Sequence, residues 1–135
     1  MFAFNEIFRV LKPGGLFRLS MPDYRCDLVR QRTVFDDNNV PLFDPEGGGQ
    51  FVAGKVTGGG HLWFPVFESV KVLFDRSRFA AGAEVDFLHY TASDGQFVLK
   101  EIDYSKGFIN RTPDHDDRAR RPRRPLSIVV DAVKR

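Results

Sequence analysis

Apolar side chains near the start of the chain recur at the spacing of an α-helix and then give way to a short apolar run. The apolar positions lie three or four residues apart, with polar residues between them, and they are Phe4, Ile7, Phe8 and Leu11. Pro13 disfavours a helical conformation in the residue before it, and Gly14 can adopt the left-handed conformation that ends helices. We therefore predict a helix over Phe2–Leu11, a turn, and a strand over Leu16–Met21 that Pro22 ends.

Three further regular regions follow from the pattern of the later chain. An apolar stripe preceded by a proline and followed by arginines predicts a helix over Pro65–Arg78. An Asp-Gly pair between two β-prone runs predicts a hairpin of Val85–Thr91 and Gln96–Ile102. The β-branched segment Leu126–Val133 is typical of a last strand.

Two segments lack this periodicity. Residues 30–60 contain two prolines and two glycine triplets, and we expect a flexible insertion there, over the ligand face. Residues 112–125 form a charged loop whose arginines are Arg118, Arg120, Arg121, Arg123 and Arg124. Because aspartates adjoin these arginines and no aromatic residues are interleaved, a solvated connection is favoured over nucleic-acid binding. Recognition of an anionic sugar or phosphate group is the alternative.

Composition narrows the class of protein only a little. The 135 residues carry a formal net charge of +2, which is too small to indicate nucleic-acid binding. Cys26 is the single cysteine, so no disulfide can form within the chain, and a reducing compartment is expected. Glu6 and Arg9 interrupt the apolar positions near Met1, so no apolar core of a signal peptide is expected there. No apolar run has the length of a membrane span either. We expect one cytoplasmic unit over residues 1–135 without a membrane partner.

The sequence of residues 6–15, EIFRVLKPGG, followed by a strand and by Pro22 and Asp23, resembles part of a known enzyme family. It is similar to the second half of a class I S-adenosylmethionine-dependent methyltransferase domain of the type called methyltransferase type 11. Further similar positions are Tyr90, Asp94, Gly95, Phe97, Gly107–Arg111, Asp117, Arg118 and Leu126–Ala132. Their order resembles the tail of a bacterial subgroup often encoded among genes for surface polysaccharides.

The resemblance implies an α/β fold, the C-terminal part of a Rossmann-like methyltransferase sheet. Its expected order is helix, strand, long insertion, helix, hairpin and a final strand antiparallel beside the first. The G-x-G-x-G loop and the acidic residue that hold the cofactor in the family are missing from this chain. Because the complete fold needs about 200 residues or more, we expect a partial domain that is inactive alone. A complete small α+β domain is the alternative.

The function implied by the resemblance is methyl transfer from S-adenosylmethionine to a small-molecule or saccharide acceptor. The missing N-terminal half would hold the cofactor, and this half would supply sheet, lid and acceptor contacts. The alternative is a non-catalytic binding or assembly module. In that case the strand over Leu16–Met21 exposes an open edge, which pairs with a second copy in a homodimer or with another chain.

Asp23 and Tyr24 directly follow the predicted first strand. Ligands of open α/β sheets bind beyond the carboxyl ends of the parallel strands, so both residues are candidates for acceptor contacts. Asp23 could orient a hydroxyl group or accept its proton, and Tyr24 could stack on the substrate or hydrogen-bond to it. The alternative is that Asp23 caps the next turn in an Asx-type arrangement while Tyr24 packs.

His61 follows a glycine triplet and precedes Trp63 at the front of the second predicted helix. A histidine there could act as a general base, with Trp63 contacting the substrate, and a structural role at the helix start is the alternative. His89 alternates within a predicted strand, which indicates a structural role. His115 lies between two aspartates too close in sequence to form a metal site without further ligands, so no metal is expected.

Overall fold

The computed structural model describes all residues, 1–135, and contains four α-helices and eight β-strands. In chain order the elements are α1 (Phe2–Val10), β1 (Leu16–Pro22), α2 (Asp27–Arg32), β2 (Val34–Phe35), β3 (Pro41–Phe43), β4 (Gln50–Val52), β5 (Lys55–Thr57), α3 (Phe67–Asp75), α4 (Phe79–Gly82), β6 (Ala83–Thr91), β7 (Phe97–Leu99) and β8 (Ser127–Lys134). Two 3₁₀ turns, Tyr104–Lys106 and Asp117–Ala119, lie between β7 and β8. No helix combines the length and apolar character needed to cross a membrane.

The helix, turn and strand predicted at the start of the chain are present. α1 ends at Val10, and Leu11 already has an extended conformation with φ −65° and ψ 137°. Gly14 has φ +76°, and its N–H donates to the carbonyl of Lys134 at 2.7 Å. Lys134 in turn donates its N–H to the carbonyl of Gly15 at 3.0 Å. The turn is thereby fixed to the end of β8.

β1, β8, β6 and β7 form one sheet in that order, and every neighbouring pair is antiparallel. The register of β1 and β8 runs from Leu16 opposite Val133 to Pro22 opposite Ser127. The last strand therefore lies antiparallel beside the first, as expected, and the mixed α/β class is confirmed. The sheet itself is antiparallel, because β1 and β6 run in one direction, β8 and β7 run in the other, and the two directions alternate across the sheet.

One face of the sheet packs against α1, α3 and α4 through phenylalanine side chains. Phe8, Phe74 and Phe79 are buried in this core, and Phe4 and Phe17 pack against them. Phe4 stands edge-on to Phe17 and to Phe74, with ring centroids 5.8 and 5.1 Å apart, a geometry that aromatic pairs prefer. The apolar stripe of the first helix thus faces the core, as its spacing predicts.

The connection between β7 and β8 covers the opposite face of the sheet. A second apolar cluster lies there, formed by Leu88, Ile102, Ile109 and Val129. Beside it, Arg18 donates to both carboxylate oxygens of Asp131, at 2.7 and 2.6 Å, and to the carbonyl of Gly107 at 2.7 Å. These bonds join β1, β8 and the connecting segment, so the long connection is anchored to the sheet.

The helix predicted over Pro65–Arg78 is shorter, because α3 covers only Phe67–Asp75, and a second short helix, α4, begins at Phe79, just past the predicted end. The N–H of Val66 donates to the Ser69 hydroxyl at 3.0 Å, so α3 begins after Val66 and Pro65 lies before the helix. At the other end, the Ser77 hydroxyl bonds to backbone groups on both sides of it. This serine ends α3 and starts α4, which explains the difference from the prediction.

The predicted hairpin is present as β6 and β7, with Gly95 at φ +85° in its turn. β7 ends at Leu99, three residues earlier than predicted. Residues 30–60 contain more regular structure than their composition indicates. They hold the end of α2 and two small hairpins, β2 with β3 and β4 with β5. The flexibility of this insertion stays a prediction.

Candidate active site

A cavity of about 440 Å³ lies between the carboxyl end of β1 and residues 60–65. Met21, Leu62 and Trp63 form its apolar wall, His61 contributes a polar group, and Tyr24, which is only 5% exposed, also lines it. Tyr24, His61 and Trp63 are three of the four residues singled out from the sequence. They come from segments almost 40 residues apart, and the fold brings them to one cavity.

Backbone hydrogen bonds hold these segments together. The N–H of Tyr24 donates to the carbonyl of Pro65 at 3.1 Å. Asp44 and His61 exchange two N–H···O bonds, at 3.0 and 2.9 Å. Glycine is needed immediately before His61, because a Cβ at Gly60 would overlap the ring of Phe43. The last glycine of the triplet therefore allows His61 to lie against Asp44.

The side chains of Asp44, Tyr24 and His61 form a hydrogen-bonded chain at the edge of the cavity. The Tyr24 hydroxyl lies 2.6 Å from Oδ2 of Asp44 and 2.9 Å from Nδ1 of His61. Asp44 is fully buried, whereas 40% of the His61 side chain is exposed. The chain thus runs from a buried carboxylate to an imidazole ring that solvent and ligands can reach.

Two arginines surround the acidic end of this chain. Nε of Arg32 lies 2.9 Å from Oδ1 of Asp44, and its Nη2 donates to Oε2 of Glu46 at 2.6 Å. Arg111 contacts the other carboxylate oxygen of Glu46. The N–H of Glu46 also donates to Oδ1 of Asp44 at 3.1 Å. Both carboxylates are therefore paired with arginines, and the buried Asp44 accepts a backbone N–H as well, as a buried charge requires.

These contacts set the protonation states of the chain. Burial raises the pKa of Asp44, but hydrogen bonds from Tyr24 and Arg32 outweigh it, and the pKa lies below its ordinary value. Burial and the hydrogen bond to Asp44 raise the pKa of Tyr24 well above that of a free tyrosine. At neutral pH Asp44 is therefore an anion, and the Tyr24 hydroxyl keeps its proton.

Asp44, Glu46 and His61 are also the group of side chains best placed to hold a metal ion, since their ligand atoms lie within 4.8 Å of one another. Arg32 and Arg111 already bind the two carboxylates, however. A cation at this point would have to displace guanidinium groups from these oxygens. The donor set thus fits an ion-paired network better than a metal centre.

Asp23 occupies a different position from the other candidates. It is fully buried, its Oδ1 accepts the N–H of Arg25 at 3.0 Å, and its Oδ2 accepts the N–H of Thr91 at 2.7 Å. These are the contacts of the Asx-type alternative, extended across the sheet to the end of β6. Asp23 does not line the cavity, so its geometry supports a structural role.

The remaining histidines and the charged loop lie outside the cavity. His89 is buried and its Nε2 lies 2.9 Å from the carbonyl of Lys100, a contact that supports the predicted structural role. His115 packs against the ring of Tyr104. In residues 112–125, ion pairs join Arg118 to Asp116, Arg120 to Asp117 and Arg123 to Asp114. This local neutralisation favours the solvated connection over an anion-binding loop.

Sequence reasoning missed Asp44, Arg32, Glu46 and Arg111. All but Arg111 belong to residues 30–60, the segment predicted to be an irregular insertion. The signal that was present is the pair of acidic residues flanking Pro45, directly after the apolar Phe43. That spacing gives no indication of a partner, because the partner atoms come from α2 and from beyond β7.

Comparison of the chain with protein-family models, with curated proteins and with solved structures found no match. The functional proposal therefore rests on the motif resemblance and on the geometry of the cavity.

Proposed function

We propose that this chain is the C-terminal part of a class I S-adenosylmethionine-dependent methyltransferase domain, with a Rossmann-like sheet when complete. Its cavity would bind the methyl acceptor, a small molecule or a saccharide. The observation that carries the proposal is the meeting of Tyr24, His61 and Trp63 in one cavity beyond the carboxyl end of β1. They are three of the four candidate site residues of the sequence, and the fourth, Asp23, lies outside the cavity.

The order of the elements supports the same proposal. The EIFRVLKPGG segment forms the end of α1 and a glycine turn, β1 follows it, and the last strand of the chain is antiparallel beside β1. The resemblance implies this arrangement. In this arrangement the residues after β1 lie at the edge of the sheet where the cavity opens.

The cofactor is not matched by residues of this chain. S-adenosylmethionine supplies an electrophilic methyl group, and in the resembling family a G-x-G-x-G loop holds it. No such loop occurs among residues 1–135. We therefore assign to this chain the acceptor side of the reaction, in which Trp63 and Leu62 offer an apolar surface and His61 a polar contact. Placing an acceptor in a fixed orientation is a large part of catalysis by such enzymes.

The experiment combines the chain with a cofactor-binding half, supplied as a separate polypeptide or encoded in frame before Met1. Methyl transfer from labelled S-adenosylmethionine to a panel of small hydroxylated acceptors and saccharides is then measured. We expect transfer by the combined protein, and a decrease of about 100-fold in turnover for His61→Asn. Asp75→Asn, on the exposed end of α3, is the matched control with unchanged turnover. Equal turnover of His61→Asn and the parent would remove His61 from the site.

The exposed edge of β1 favours the second candidate, a binding or assembly module. β1 is an outer strand of the sheet and pairs only with β8. Phe2 and Val10 of α1 are exposed as well. An open strand edge of this kind pairs readily with a strand of another molecule, and a second copy of the chain is the simplest such partner.

Light scattering of the chain, alone and with the cofactor-binding half, separates the two candidates. A homodimer that persists in the presence of that half favours the module, and a monomer that joins it favours the enzyme. Ser20 is exposed on β1, and Ser20→Lys is expected to weaken pairing through this edge, with Ser20→Thr as the control. A dimer unaffected by Ser20→Lys would place the contact elsewhere.

A further inference from the structure

The imidazole of His61 can exist in two neutral forms, which differ in the nitrogen that carries the proton. Only the nitrogen without a proton can accept one from a bound molecule. Nδ1 of His61 contacts the Tyr24 hydroxyl at 2.9 Å, and Nε2 makes no hydrogen bond within the chain. The direction of the Tyr24 contact therefore decides which nitrogen is available to a ligand in the cavity.

The Tyr24 hydroxyl has a single proton to donate and two neighbours. The distance of 2.6 Å to Oδ2 of Asp44 is the length of a hydrogen bond between a hydroxyl and a carboxylate anion. Asp44 accepts from Arg32 and from a backbone N–H as well, so it has no proton to give to the phenol. If Tyr24 donated to His61 instead, two oxygens would face each other at 2.6 Å without a proton between them.

We infer that Asp44 and Tyr24 hold His61 in the form with a proton on Nδ1, which leaves Nε2 as the proton acceptor of the cavity. Tyr24 donates to Asp44 and accepts from His61 Nδ1–H, so each group in the chain has one role. The inference rests on the proposed function only for the identity of the ligand, an acceptor with an O–H group. His61 is the catalytic residue, and Tyr24 and Asp44 are positioning residues.

The proton step follows from this arrangement. The O–H bond of the bound acceptor breaks, its proton forms a bond to Nε2, and the electron pair stays on the oxygen, which becomes a stronger nucleophile. The ring then carries a proton on both nitrogens and a positive charge. Tyr24 links that charge to the Asp44 anion, and Oε2 of Glu46 lies 3.9 Å from Nδ1. Arg32 and Arg111 oppose the charge but are themselves paired with these carboxylates.

The test is nitrogen-15 NMR of the full chain, above the pH range in which histidine titrates, and it needs neither cofactor nor acceptor. The shifts of the two ring nitrogens and their couplings to ring protons identify the protonated one. His61→Asn assigns the signals by removing them. We expect a proton on Nδ1 in the parent chain. A proton on Nε2, the usual form of histidine in water, would overturn the inference.

Two tyrosine variants show whether Tyr24 sets this form. In Tyr24→Phe the accepting oxygen is lost, and we expect the proton of His61 to move predominantly to Nε2. Tyr104→Phe is the matched control, since Tyr104 also donates to a carboxylate, at 2.7 Å to Asp114, and its other partner is a threonine hydroxyl. An unchanged Nδ1–H signal in folded Tyr24→Phe would overturn the role of Tyr24.

The result separates this inference from the proposed function. Should Tyr24→Phe fail to fold, the spectrum of the parent chain alone still decides the form of His61. If Nδ1 carries the proton but the combined protein transfers no methyl group, the proposed function fails and the positioning of His61 stands. If methyl transfer occurs while Nε2 carries the proton, the proposed function stands and the positioning chain is refuted.

Discussion

Replacing Asp23 tests whether this residue is structural, as its contacts indicate. In Asp23→Ala the buried N–H of Thr91 and the N–H of Arg25 lose their acceptor oxygens, now 2.7 and 3.0 Å away. A buried donor left without a partner costs about 1–3 kcal/mol, which is the loss expected from the Thr91 N–H. The Arg25 N–H is only partly buried and adds less, because water can replace its acceptor. Domains of this size are stable by about 5–15 kcal/mol, and the variant is therefore expected to be much less stable. Asp23→Asn keeps one acceptor oxygen, and we expect roughly half of that loss.

The assay is urea unfolding followed by circular dichroism and by the fluorescence of Trp63, the single tryptophan. Asp75→Ala is the control, because Asp75 pairs with Lys71 on an exposed helix face and such pairs contribute about 0.3–0.5 kcal/mol. A loss of stability in Asp23→Ala no larger than in the control would refute the structural role. Catalysis by Asp23 would then need to be considered again.

Two further predictions concern stability. Gly60→Ala is expected to destabilise the chain and to disturb the cavity, because the added Cβ would overlap the Phe43 ring. Gly59→Ala is the control, because the nearest atom to a Cβ at that position is 3.6 Å away. Equal urea midpoints for the two variants would contradict the overlap at Gly60. Burial lowers the pKa of His89, so the unfolded chain binds a proton more readily and stability should fall as the pH drops below about 6.5. His89→Gln should remove this dependence from urea midpoints measured across that range, and an unchanged slope would assign it to another group.

Local signals in the sequence were sufficient to predict most of the sheet and its first helix. The Pro-Gly-Gly turn and the Asp-Gly turn each depend on the conformation of one or two residues, so their outcome can be judged from neighbours along the chain. The end of α3 could not be predicted from neighbouring residues, because it depends on which backbone groups the Ser77 hydroxyl bonds to. The apolar stripe ends at Phe74, and the prediction extended the helix to Arg78 because arginines are favoured in the last turn of a helix.

The site was predictable only in part, for the same reason. Tyr24 and His61 follow a strand end and a glycine triplet, which are local marks of residues near a ligand face. Asp44 and Arg32 carry no such mark, and their importance comes from contacts between α2, the insertion and the end of β1. For Asp23 the local signal was misleading. Its place after a strand predicted a contact with the acceptor, whereas its hydrogen bonds with two backbone N–H groups support a structural role.

The central claim, that this chain is the acceptor side of a methyltransferase, is tested most directly by calorimetric titration with S-adenosylmethionine and with its demethylated product. The titration is made on the folded chain alone and on the chain combined with a cofactor-binding half, with the oligomeric state recorded in the same buffer. We predict no binding by the chain alone, and saturable one-site binding with methyl transfer by the combined protein. Saturable binding by the chain alone would contradict the division of the site between two halves. The proposed function would be contradicted if the combined protein folds and binds the cofactor but methylates no acceptor.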